Sequence, residues 1–315
     1  MRAIVQTEFG GPEVLHVADV PRPQPLPTEI LVQVIAAAIN PVDARTRAGG
    51  GVADMLGGPP YILGWDISGV VEQVGCGVTT IEVGDEVFGM PWFPHQAGGF
   101  SEYVVGPTRQ FARKPKTLDH NHAAAVPVAG LTAWQLLTET APVQPGQRVL
   151  IHAAAGGVGH LAVQIAKYLG AYVIGTASEA KHAWLRELGV DELIDYRTVR
   201  FEEAVKDVDL VIDSLGDKAD MTSTRSMKTL RPGGTIVTVP CTSPELQAAA
   251  NLHSVIAKPF LVEPDGRSLV ILADLIDKGH LTVWVEEVFP FKQFAEAHRR
   301  LESGRTQGKL VVRMG

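Results

Sequence analysis

Between Arg148 and Leu169 the chain reads RVLIHAAAGGVGHLAVQIAKYL. Ala154, Gly156 and Gly159 occupy the first, second and third places of a G-x-G-x-x-G spacing. The apolar run Val149-Leu150-Ile151 precedes them, and apolar residues at Leu161, Val163, Ile165, Ala166 and Leu169 follow. That order predicts strand, tight turn, helix. Its chemistry is anion binding: the first N–H groups of a helix have no intrahelical acceptor and carry the positive end of its dipole, so they receive a pyrophosphate. Glycine at 156 removes the Cβ that would block the approach, and glycine at 159 lets the helix pack closely on the strand. Ala154, Ala155, Gly156, Gly157, Val158 and Gly159 are therefore candidate cofactor-binding residues. Any tight strand-to-helix turn shares this shape, so the surroundings must decide.

The next strand, Ala171 to Thr176, ends in Gly175-Thr176-Ala177-Ser178. An NAD site places an acid at that tip for the ribose 2′-hydroxyl. None stands there, whereas Ser178 and Lys181 are donors suited to a 2′-phosphate, with Tyr196 after the third strand as another. Glu179 lies close to the expected spacing but reads as the first turn of the following helix, where an acid complements the dipole. The expected cofactor is NADPH.

These residues need a frame. A chain of 315 residues is long for one core and predicts two domains. Up to about residue 118, short strands alternate with Gly and Pro breaks, which suggests a small irregular barrel. From His120 onward, strands at 148–152, 171–176, 192–194, 208–212 and 234–239 alternate with helical segments, the pattern of a doubly wound parallel α/β sheet. The segment after Val262 is expected to return to the first domain. The division is thus 1–118, completed by 263–315, and 119–262, with a ligand expected in the cleft between them.

Composition narrows the partners. With 28 basic against 35 acidic residues the formal net charge is -7, which does not suggest nucleic acid or an anionic membrane. No window approaches the roughly 20 apolar residues of a membrane span. The two cysteines, Cys76 and Cys241, make no disulfide framework. Together with an N-terminus that lacks a long apolar leader, they lead us to expect a cytoplasmic protein.

Further stretches resemble one family: Asn40-Pro41-Val42-Asp43, Gly64-Trp65-Asp66-Ile67-Ser68-Gly69, Val83 to Gly89, Gly98 to Tyr103, Ala129 to Trp134, Ala154 to Gly159, and Gly308 to Val312. In order and across essentially the whole chain, they resemble the medium-chain dehydrogenase/reductase superfamily in its zinc-free quinone oxidoreductase branch. The resemblance implies a GroES-like barrel domain, a Rossmann NADPH-binding domain and a homodimer joined at the last Rossmann strand, near His253 to Val262. Zinc-dependent members carry Gly-His-Glu where this chain has Gly64-Trp65-Asp66, so Trp65 replaces a metal ligand. The early cysteine ligand and the structural-zinc cysteines are missing too, and no tetrahedral N/S site can be assembled at these places. Without a metal to polarise an alcohol, the accessible substrates are those that delocalise the incoming charge, namely quinones and α,β-unsaturated carbonyls.

The family pattern places Asn40 near the nicotinamide, although Asn before Pro is also a helix N-cap. Tyr61 is a candidate general acid toward an enolate, against an aromatic core role. Asp43 is read as a local cap or a partner of Arg47. Thr132, Leu215, Gly216, Val239, Pro240, Leu261 and Val262 are candidate cofactor contacts, and Lys309 a candidate phosphate contact. Cys241 follows a strand end and is a candidate reactive thiol. Rival readings are an enoyl-thioester reductase, with Arg45 and Arg47 toward the phosphates of its carrier, and a non-catalytic NADPH-binding or sensing protein. A zinc alcohol dehydrogenase is the weakest.

Overall fold

A computed structural model describes residues 1–218, 220–239 and 244–315; Pro240 and Cys241 lie outside the described residues. In chain order the strands begin with β1 (Arg2–Gln6), β2 (Leu15–Asp19), β3 (Glu29–Ile39), β4 (Asp66–Val74) and β5 (Glu86–Gly89). They continue with β6 (Tyr103–Pro107), β7 (Phe111–Arg113), β8 (Arg148–Ile151), β9 (Tyr172–Ala177) and β10 (Glu192–Asp195). The last five are β11 (Val208–Asp213), β12 (Leu230–Thr238), β13 (Ile256–Pro259), β14 (Val285–Pro290) and β15 (Lys309–Arg313).

The chain divides into two compact units. The first comprises Met1–Leu131, Glu263–Gly279 and Val283–Gly315. It holds a seven-stranded sheet in the order β14-β15-β3-β4-β5-β7, with β6 also paired to β3, and a separate β1-β2 hairpin pair. Strand β3 is the spine. It runs antiparallel to β4, β6 and β15, and nine of its eleven residues, Glu29 among them, are buried. Two register shifts against β4 let so long a strand bend. The return of the chain after residue 262 supplies β15, whose Leu310, Val311 and Val312 are wholly buried.

The second unit comprises Thr132–Val262 with His280–Thr282. Its six strands are all parallel, in the order β10-β9-β8-β11-β12-β13. Numbered within this unit, that is the doubly wound order 3-2-1-4-5-6, and the order reverses between β8 and β11. Central strands buried on both faces need apolar residues at successive positions, and Leu150, Ile174, Val211 and Ile236 meet Met227 and Leu246 in one core cluster.

The boundary between the units differs from the expected 118/119. The helix His120–Ala124 packs on β3 and β4, and Ser68 Oγ lies 2.8 Å from His120 Nδ1. Residues 120–131 therefore belong to the first unit. A second departure is the short visit of His280–Thr282 to the second unit. Gln164 grips Thr282 with both ends of its amide, Nε2 donating to the carbonyl at 2.9 Å and Oε1 accepting the N–H at 2.8 Å.

Candidate active site

The phosphate turn is built from local interactions. β8 ends at Ile151, and the next backbone N–H groups cross to its neighbours: His152 to Ile212 O at 3.0 Å and Ala154 to Thr176 O at 3.1 Å. Ala153 takes a left-handed φ of 48°, and Gly156 N–H closes on its carbonyl at 2.8 Å. The helix Gly157–Tyr168 then starts with Gly156 as its N-cap and no capping side-chain acceptor on its first N–H groups. Its first-turn amides are left for an outside acceptor. A Cβ on Gly159 would stand 2.2 Å from Ala153 O and 2.8 Å from Ala154 Cα, so close packing of helix on turn requires glycine there. A Cβ on Gly156 would meet only Ala153, its oxygen at 3.1 Å, with open space beyond. This is a cradle that fits a pyrophosphate, and it lies at the carboxyl ends of β8 and β11, where the strand order reverses.

His152 braces the floor of the turn. Ser226 Oγ donates to Thr222 O at 2.6 Å, so it accepts from His152 Nε2 at 2.8 Å, and Nδ1 accepts from Thr176 Oγ at 3.1 Å. Burial pushes His152 down to about 4; Asp213 opposes this and Arg225 adds to it. The ring is neutral and tethers β8, β9 and the helix Thr222–Ser226.

The other nucleotide candidates occupy strand ends of the same unit. Ser178 follows β9 and starts the 3-10 turn Glu179–Lys181, with Glu179 in its first turn. Tyr196 follows β10 and is 57% exposed. Asp213, at the end of β11, accepts the N–H groups of Leu215 at 2.8 Å and Gly216 at 3.3 Å and so shapes their turn. Val239 closes β12 with its N–H on Asp213 O at 2.9 Å. Leu261 is half-exposed beyond β13, while Val262 and Thr132 are buried.

The first unit gathers a separate polar cluster around Asn40, the N-cap of the helix Pro41–Arg47. Asp43 Oδ2 accepts the Asn40 N–H at 2.7 Å. Asn40 Nδ2 donates to Asp66 Oδ2 at 2.8 Å, and Lys309 Nζ donates to Asn40 Oδ1 at 2.5 Å and to Asp66 Oδ2 at 2.9 Å. Asp66 Oδ1 takes the N–H of Val128 at 2.5 Å. Exposures are 4% for Asn40, 3% for Lys309 and zero for Asp43 and Asp66. Burial lifts the Asp43 carboxyl to about 8; the Asn40 N–H pulls against this, Asp66 adds to it and Lys309 opposes it. Asp43 thus holds a proton at neutral pH.

The structure sets the roles of Lys309, Tyr61, Asp43 and Arg47, and Asp43 takes the first of its two readings, the cap. Lys309 does not extend toward a phosphate: its ammonium is buried in an ion pair with Asp66. Tyr61 is a core residue, 1% exposed, with its hydroxyl 3.5 Å from Ala53 O and its ring 6.1 Å from Phe9. This is the aromatic core role given above as the alternative for Tyr61. Asp43 caps Asn40 and leaves Arg47 to other partners. Arg47 is buried, donating to Gly10 O at 3.1 Å, to His298 Nδ1 at 2.8 Å and to Glu302 at 2.5 Å. It is spent on the fold and is not available to a thioester carrier; Arg45 is exposed. Trp65 is fully buried, its Nε1 on His95 O at 2.7 Å and its ring edge-on to Phe93. Among the described residues no group of three or more His, Cys, Asp or Glu side chains is arranged to hold a metal ion.

Comparison with known proteins matches residues 26–116 to the alcohol dehydrogenase GroES-like domain and residues 188–312 to the zinc-binding dehydrogenase family. A quinone oxidoreductase from Coxiella burnetii superposes with a TM-score of 0.94 at 38% identity, covering 100% of this chain and 99% of the other. The chain belongs to the medium-chain dehydrogenase/reductase superfamily, in its quinone oxidoreductase-like branch. Escherichia coli quinone oxidoreductase complexed with NADPH matches this reductase at a TM-score of 0.88 and 30% identity, over 99% and 100% of the two chains. An NADPH-dependent alkenal/one oxidoreductase of Arabidopsis thaliana chloroplasts is 34% identical over 99% of this chain and 79% of its own. The GroES-like and Rossmann domains expected from the sequence are both present.

Proposed function

We propose that this chain is a zinc-independent NADPH-dependent reductase that delivers hydride to a quinone or an α,β-unsaturated carbonyl. The observation that carries the reading is the uncapped helix N-terminus at the strand-order reversal, with Gly156 and Gly159 in the turn before it. NADPH supplies the hydride when bound. The first-turn amides hold its pyrophosphate, and the strand end at Ser178, with no acid at the tip of β9, favours a 2′-phosphate. The comparisons support the same cofactor and substrate class. Zinc independence rests on residue types: Trp65 stands where zinc enzymes place histidine and is enclosed by Phe93 and His95. An acceptor must therefore spread the incoming charge itself.

The test is NADPH oxidation with quinones, 2-alkenals, enones and enoyl-thioesters, each repeated with NADH. Turnover of quinones or enones supports the reading, and failure of every acceptor despite tight NADPH binding overturns it in favour of a binding protein. Lys181→Ala with Ser178→Ala is expected to lower kcat/KM for NADPH about 30-fold, with the NADH value within about threefold, the loss of one or two charge-assisted hydrogen bonds. An equal fall for both cofactors would remove these residues from the 2′-phosphate.

A homodimer belongs to the same reading. β13 is the edge of its sheet with Ile256 half-exposed, and such an edge invites pairing with a second copy. Ile256→Lys is expected to shift sedimentation from dimer to monomer; a monomeric wild type refutes the dimer. We also place the chain in the cytoplasm, since Cys76 is an exposed free thiol suited to a reducing compartment.

A further inference from the structure

The side chain of Asp213, at the end of β11, is wholly buried. Its Oδ1 accepts the N–H groups of Leu215 and Gly216, and its Oδ2 accepts from Ser223 Oγ at 2.5 Å. At the far end of the same turn, Asp217 accepts the Thr224 N–H at 3.0 Å on Oδ1 and the Thr224 hydroxyl at 2.7 Å on Oδ2. Both ends of the turn 213–217 are thus fastened to the helix Thr222–Ser226. That helix also reaches the residue after β8, since Ser226 Oγ accepts from His152 Nε2 at 2.8 Å. Ser223 and Ser226 are three residues apart and share a helix face. One face therefore grips the chain leaving β8 and the chain leaving β11, the two strands between which the order reverses.

Local propensity does not account for this helix. Thr-Ser-Thr-Arg-Ser is poor in helix formers, and five residues are too few to hold a helix alone. Arg225 anchors it, donating from Nε and Nη2 to the two oxygens of the buried Glu202 at 3.0 and 2.7 Å. The guanidinium also lies 4.6 Å from the centre of the Phe201 ring. The outer side of the fastened turn is open. Leu215 is 52% exposed, and a Cβ on Gly216 would meet nothing within 4 Å.

We propose that Asp213, Ser223 and Thr224 are positioning residues that hold the turn 213–217 as the second wall of the nucleotide crevice, the phosphate turn being the first. The proposal rests on the reading of NADPH as the cofactor. A ligand at a topological switch point lies between the turns that leave the two diverging strands. Both turns and the helix that clasps them belong to the second unit. Walls already placed in the free protein need not be ordered when the nucleotide arrives, which raises its affinity.

Ser223→Ala removes the donor to Asp213 Oδ2. Calorimetric titration is expected to give a Kd for NADPH about tenfold above wild type, the size of effect of one lost hydrogen bond. Hydrogen exchange at the Leu215 and Gly216 amides is expected to run at least about tenfold faster. These amides open locally, so a bond that served only global stability would speed exchange at Leu150, wholly buried in β8, and leave them unchanged. Thr224→Val opens the other fastening at a half-buried site. It is expected to raise Kd about threefold with faster exchange at Leu215, which keeps the proposal testable should Ser223→Ala not fold. Asp213→Asn retains an acceptor for the two N–H groups and a partner for Ser223, and its Kd is expected to stay within about threefold of wild type. Wild-type Kd in Ser223→Ala overturns the proposal, as does acceleration confined to Leu150. So does a loss in Asp213→Asn as large as that in Ser223→Ala. Failure of the wild type to bind NADPH instead removes the cofactor reading and the crevice wall with it, while exchange at Leu215 still decides whether the clasp holds the turn.

Discussion

Gly159→Ala is expected to lower both stability and nucleotide affinity, whereas Gly156→Val lowers affinity alone. The difference lies in what each new carbon meets. At 159 it would be 2.2 Å from Ala153 O and 2.8 Å from Ala154 Cα, both backbone atoms of the turn. Backbone cannot rotate aside as a side chain can, so turn and helix must separate by about 1 Å, at the roughly 1–3 kcal/mol typical of overpacking. The same displacement moves the first-turn amides off the pyrophosphate. At 156 the backbone is extended, with φ at -81°, and the nearest outside atom would be 3.1 Å away. The fold tolerates the side chain, but its methyls fill the approach to the amides, which we expect to weaken NADPH about 100-fold, or about 2.7 kcal/mol. Calorimetric titration with NADPH and thermal melts separate the two. Gly156→Val melting well below wild type, or Gly159→Ala binding as wild type, would refute this assignment of roles.

Acidification from pH 6.5 to 4 is expected to destabilise the chain at a net slope of about 1.4 kcal/mol per pH unit. Burial depresses His152 to about 4, and burial with the nearby Arg47 guanidinium depresses His298 to about 3. Burial lifts Asp43 to about 8. In this window the unfolded chain holds a proton on each histidine and none on Asp43. The folded chain holds one on Asp43 and none on either histidine. The unfolded chain therefore binds one proton more, so stability rises with pH. His298 and Asp43 offset each other in the first unit, where burial also lowers His120, while His152 lies in the second unit, joined near pH 4 by Glu202, whose carboxyl Arg225 holds down at about 2. The shift of His152 by itself costs the nucleotide-binding unit about 3 kcal/mol across the window. Urea midpoints at half-unit pH steps measure the slope. His152→Asn is expected to flatten it, and Asp43→Asn to steepen it to about 2.7 kcal/mol per unit. A slope unchanged in both variants would show that these groups do not set it.

How far each feature was legible follows from the distance over which it is made. The turn from Ile151 to Gly159 depends on neighbours within one strand-turn-helix unit, so residue types and spacing suffice to find it. Likewise the alternation of strands and helices after His120 specifies a doubly wound sheet, since parallel strands require crossovers. The helix His120–Ala124 joins the first unit through contacts with β3 and β4, far behind it in the chain, which no local pattern signals.

The sequence by itself determined the cradle and the nucleotide class, because each rests on the chemistry of single residues or of short spacings. Only the tertiary structure decided what Lys309, Arg47 and Tyr61 do. Lys309 opens a strand and reads like any lysine at a surface edge, yet its partners Asn40 and Asp66 lie 269 and 243 residues away. Arg47 likewise finds His298 across 251 residues. A charged side chain takes its role from the charge it meets, and which charge that is depends on how strands and helices pack. The pairing of Lys309 follows from β15 settling beside β3, and no local pattern encodes it.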